Sequence, residues 1–76
     1  MPTIFRVDGL RIVIYPNDHP PAHVHVIGPD WEVVVNLVGL QVREIICGGD
    51  REARHAFDLV QENRSVLMDA WRSIHG

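Results

Sequence analysis

A carboxylate and three imidazoles crowd into one short stretch, Asn17-Asp18-His19-Pro20-Pro21-Ala22-His23-Val24-His25. The histidines are spaced H-x-x-x-H-x-H, with two prolines stiffening the first interval. Imidazole is the commonest metal ligand, and its unperturbed pKa lies near neutrality. Residues two apart on a strand project to the same side. His23 and His25 would therefore emerge together, their Cα atoms about 7 Å apart, near enough to meet at one ion. His19 comes from the proline loop, whose stiffness lowers the entropic cost of holding it. Three imidazoles plus an open position is the ligand count of a catalytic zinc site. A divalent metal such as zinc or nickel suits those donors. Asp18, Glu32 or Asn36 could accept a hydrogen bond from an imidazole and orient it. Bound metal would lower the pKa of a water and make a nucleophile for hydrolysis. The plainer alternative is that His19 anchors a turn and the strand histidines face solvent.

Two hairpins must carry this stretch. Ile4–Val7 and Leu10–Tyr15 flank Asp8-Gly9, the signal of a type I′ turn. Val7 then faces Leu10, Phe5 faces Ile12 and Arg6 faces Arg11. Opposed arginines repel unless they fan into solvent or meet an anion or a carboxylate such as Glu32 or Glu44. Pro16, Pro20 and Pro21 keep residues 16–22 irregular. A second hairpin pairs Val24–Ile27 with Trp31–Leu37 around Gly28-Pro29-Asp30. The register Val24 to Val35 and Val26 to Val33 gathers the branched residues on one face. The other face then holds His23, His25, Glu32, Val34 and Asn36. A short fifth strand, Gln41–Ile46, ends at Gly48-Gly49.

From Asp50 the period is helical: Ala53, Phe57, Val60, Arg64, Leu67, Trp71 and Ile74 form one stripe. Asp50 reads as the N-cap of a single helix ending at Gly76, with Asn63-Arg64 the place for a kink or a break into two. The fold class is α+β, a small twisted antiparallel sheet of four to five strands with the C-terminal helix on one face. Residues 1–76 make one domain, sheet over 1–47 and helix over 50–75. Trp71 and Phe57 read as core, His55 and His75 as surface. Trp31 reads either as an interface anchor or as half-buried against the helix.

Composition narrows the function. The chain is 46% hydrophobic over 76 residues, more than so small an interior uses, which implies apolar surface covered by self-association or a partner. All seven basic residues are arginines and the net charge is −3, so no broad nucleic-acid footprint is present. The face bearing Arg6, Arg11, Tyr15 and the histidines is the one local patch that could meet RNA. Cys47 is the single cysteine, with no lysine or arginine within two residues to activate it; it reads as a semi-buried structural thiol. No disulfide, leader or membrane span is apparent, which suits the cytoplasm. Pro2, once Met1 is removed, would offer a secondary amine like that of the tautomerases, but the early hairpin is unlike their strand–helix–strand order.

Met1-Pro2-Thr3-Ile4, the strand ending at Tyr15, the Asn17–His25 signature and the helix bearing Trp71 together resemble bacterial domain-of-unknown-function family 4160, over nearly the whole chain. The resemblance implies no settled activity. It implies one half of a small two-gene pair of toxin–antitoxin type, with Asp18, His19, His23 and His25 as the positions carried over. Cys47-Gly48-Gly49 departs from the basic or proline-containing junction associated with relatives. The leading expectation is a binding module whose functional face is Asp18–His25 with Arg6, Arg11, Tyr15, Asn17, Glu32 and Asn36 around it. It would work as a homodimer or with a small protein partner encoded nearby. A metal-dependent hydrolase or nuclease using His19, His23 and His25 ranks second, because no residue reads as a fixed general base. An RNA-binding module ranks third.

Overall fold

The computed structural model describes residues 2–75; Met1 and the predicted helix end at Gly76 lie outside them. Strands Thr3–Val7 (β1), Leu10–Ile14 (β2), His23–Ile27 (β3), Glu32–Asn36 (β4) and Gln41–Cys47 (β5) precede helices Asp50–Glu62 (α1) and Arg64–His75 (α2). The sheet is an antiparallel meander in chain order, so every strand neighbours the next. Asp8 and Gly9 take φ of 52° and 76°, the left-handed pair that a type I′ turn requires. That turn fixes the register Val7 to Leu10, Arg6 to Arg11 and Phe5 to Ile12. The second hairpin pairs Val24 with Val35 and Val26 with Val33, as the valine pattern demands.

One face of the sheet makes the core. Ile12, Ile14, Val24, Val26, Val33 and Val35 are fully buried there against Ala53, Ala56, Leu59, Val60, Leu67 and Trp71 from the helices. Alternation sends Val13, His23, His25 and Val34 to the opposite face. Arg6 and Arg11 lie exposed across from each other at the hairpin end.

The helical segment breaks in two at Asn63, whose side chain donates to Leu59 O (2.8 Å) and competes with the helical ladder there. Three local expectations are corrected. Arg64, placed by the period on the apolar stripe, is exposed and donates through Nε to Leu37 O at 2.9 Å, tying α2 to the sheet. The N-cap is Gly49 and not Asp50. Its backbone N–H donates to Glu52 Oε1 at 2.7 Å, so the acid three residues on closes the first turn. Cys47 is exposed rather than semi-buried, its thiol 3.4 Å from Asp30 O, because nothing covers the outer side of β5.

Trp31 is half-buried against the core and lies over the second turn. A Cβ on Gly28 would overlap its Nε1 and Cε2. Gly28→Ala must therefore displace the indole. The expected loss is about 1–3 kcal/mol, read as a lower denaturant midpoint at unchanged slope. No helix among the described residues is long and apolar enough to cross a membrane.

Candidate functional site

The carboxylate is positioned by a turn. Asp18 N–H donates to Tyr15 O (3.1 Å), closing a four-residue turn with Pro16 at its second position, where a fixed φ suits. The Asp18 side chain folds back, its Oδ2 accepting the Tyr15 N–H at 3.3 Å. At the far end of the loop, Leu37 N–H donates to Ala22 O (2.9 Å), which holds the entry to β3 beside the exit of β4. Asp18 is thereby set over the start of β3, where His23 and His25 emerge.

Both rings are oriented from behind. His23 Nδ1 lies 2.8 Å from Pro21 O, and His25 Nδ1 lies 3.0 Å from Glu32 Oε2. A carbonyl and a carboxylate accept, so each Nδ1 carries a proton, and in a neutral ring each Nε2 then presents a lone pair. The two Nε2 atoms stand 3.5 and 3.4 Å from the same Asp18 Oδ2. His23 is 6% exposed, and His25 Nε2 is buried without a hydrogen-bond partner. Tyr15 meets the His25 ring edge-on at 4.9 Å, and Trp71 lies 5.4 Å from the His23 ring, so neither imidazole turns freely.

The ligand atoms of Asp18, His23 and His25 all lie within 4.8 Å of one another. They open onto a cavity of about 280 Å³. Asn17 and His19 line it from the loop, His19 as an exposed residue of the rim rather than a member of the converging set. Val34, Arg43, Glu44 and Ile46 line it from β4 and β5. Arg6 and Arg11 do not line it. Asn36 lies opposite His23 in the sheet, its Oδ1 buried and unpartnered. His75 is not an ordinary surface residue: its ring stacks on Trp71 at 3.8 Å and its Nδ1 reaches Trp71 O at 3.2 Å, behind the site.

Arg43 and Ile46 reach the cavity because β5 slips its register twice. Val34 pairs with Glu44 but Val35 with Val42, and Glu32 pairs with Cys47 but Val33 with Ile45. The residues skipped, Arg43 and Ile46, are turned toward the cavity, as bulges commonly re-aim side chains. Simple alternation gives no sign of this.

A five-stranded meander backed by two helices, with a loop carboxylate and two strand imidazoles converging on the face opposite the main core, defines a small α+β domain built around one polar site. The family model of DUF4160, a domain of unknown function, matches residues 9–72, and the chain belongs to that family. The matched segment contains every residue lining the cavity. No curated protein and no solved structure matches the chain.

Proposed function

We propose that this domain is a metal-binding module in which Asp18, His23 and His25 hold one divalent transition-metal ion. The observation that carries the reading is the pair of engaged Nδ1 atoms. With those protons committed to Pro21 O and Glu32, neutral rings point two imidazole lone pairs and a carboxylate oxygen at one another. Three acceptors converging in a half-buried place repel unless a cation, a metal ion or a proton on one Nε2, lies between them. A tetrahedral site with bonds of about 2.0–2.1 Å sets its ligand atoms about 3.3 Å apart, close to the two separations from Asp18 Oδ2. Acceptors behind metal-bound imidazoles are the usual means of fixing tautomer and ring direction. Zinc or nickel fits two imidazoles and a carboxylate.

Three protein ligands leave coordination positions facing the cavity, and this supports metal-assisted hydrolysis as the second reading. Glu44 on the cavity wall is then the available base. Association with a second copy or a small partner protein stays a proposal alongside, supported by the exposed Val42, Ile45 and Ile46 on the edge strand β5.

Metal content of tag-free protein by mass spectrometry, followed by zinc and nickel titration, tests the main reading. Near-stoichiometric metal is expected in the wild type and none in His23→Ala/His25→Ala. Equal, weak binding by both proteins would sink it and leave the cluster as loop anchors.

A further inference from the structure

Arg43 reaches the cavity because β5 bulges at that residue. In a regular strand the neighbour of Glu44 would point to the helix-covered face. The bulge instead brings Arg43 and Glu44 to the wall that faces His23 and His25. Arg43 Nη1 lies 3.1 Å from His23 Nδ1, but that nitrogen already sits 2.8 Å from Pro21 O. Its proton belongs to Pro21 O, so it offers Arg43 no lone pair. Among the described residues, no carboxylate lies within ion-pair distance of the guanidinium. A fork of N–H donors is thus left without a protein acceptor beside a ring that would ligate a divalent cation through its other nitrogen. A bound ion and the guanidinium would be two positive centres at the two edges of one imidazole, and an anion reaching both would offset their repulsion.

We infer that the ligand completing the metal site is a small oxyanion, a carboxylate or phosphate group, bound at once by the ion and by the forked guanidinium of Arg43. This rests on the metal reading above. Size and charge limit the ligand. A cavity of about 280 Å³ lies at the lower end of small-molecule sites, and Glu44 on the same wall repels further negative charge. A single anionic head fits, and a polyanionic strand does not.

Cobalt(II) in place of the resident ion gives a visible spectrum that responds when a ligand joins the metal. Inorganic phosphate and acetate are titrated separately into cobalt-loaded protein, with bound metal quantified in every sample. At least one anion is expected to shift the wild-type spectrum saturably; the tighter of the two identifies the head group. Arg43→Gln should weaken that binding about tenfold or more, and Arg43→Lys, which keeps the charge but loses the fork, should fall between. Arg43 is exposed on an edge strand, so both variants should unfold at the wild-type midpoint. Cobalt bound but with no anion response, or with equal responses in wild type and Arg43→Gln, overturns the oxyanion ligand while the metal site stands. Failure of wild-type protein to bind cobalt removes both.

Discussion

Asp18→Asn should lower zinc affinity at least about a hundredfold, whereas His19→Ala should change it by less than about threefold. The contrast follows from where the two side chains lie and not from their chemistry, since imidazole is the better transition-metal ligand of the two in isolation. Asp18 is held by its own turn, with backbone and side chain both bonded to Tyr15, and its Oδ2 stands 3.5 and 3.4 Å from the two Nε2 atoms. Asparagine keeps the shape and still accepts at Oδ1, but it removes the charge that offsets a divalent ion. His19 lies one residue further on, exposed on the rim, with nothing orienting its ring. Competition titration against a chelator of known affinity measures both variants. Parallel thermal unfolding of the metal-free proteins shows whether any loss is one of folding. A strong effect of His19→Ala with a weak one of Asp18→Asn would replace Asp18 by His19 in the ligand set.

Much of the frame behind that site can be read from residue order. Asp8-Gly9 dictates a type I′ turn, and the turn dictates which residues of β1 and β2 oppose each other. The valines of β3 and β4 admit one register that buries them, and that register puts His23 and His25 together on the other face. Period alone did not reveal the loop geometry. A turn that closes at Asp18 rather than at His19 depends on hydrogen bonds to Tyr15, and several turns are open to a Pro-Asn-Asp-His sequence. The bulges of β5 were hidden for a related reason. Gln41-Val42-Arg43-Glu44-Ile45-Ile46 alternates poorly in any register, and the slip resolves this locally by seating Val42 and Ile45 toward the helices and Arg43 and Ile46 toward the cavity. The helix break came from Asn63, whose side-chain bond to Leu59 O competes with a backbone pattern that otherwise runs through.

Trp71→Ala is expected to remove a large share of the metal-free domain's stability, and saturating zinc should restore most of it. At about 0.05–0.15 kcal/mol per residue, a chain of 76 residues holds about 4–11 kcal/mol in all. Truncating a core tryptophan costs about 3–5 kcal/mol, most of the lower end of that range. Trp71 is 7% exposed, packs in the main cluster, and carries His75 stacked on its ring at 3.8 Å. Its loss leaves a gap between α2 and the sheet, so the helix-to-sheet contact at this end collapses or opens. Its other neighbour is the His23 ring at 5.4 Å, which joins the fate of the core to that of the site. Metal bound only by the folded chain stabilises it by about 2.7 kcal/mol at a hundredfold excess over Kd and about 4.1 at a thousandfold, comparable with what the truncation removes. Circular dichroism of Trp71→Ala with and without zinc reads the balance. Trp71→Phe, which keeps a ring over His23, should stay folded without metal, at a cost of about 1–2 kcal/mol. If zinc shifts the midpoint of neither the wild type nor the variants, the converging acceptors bind no metal in the folded state. Rescue of Trp71→Ala by zinc in a background carrying Asp18→Asn would instead mean that the stabilising ion sits elsewhere on the chain.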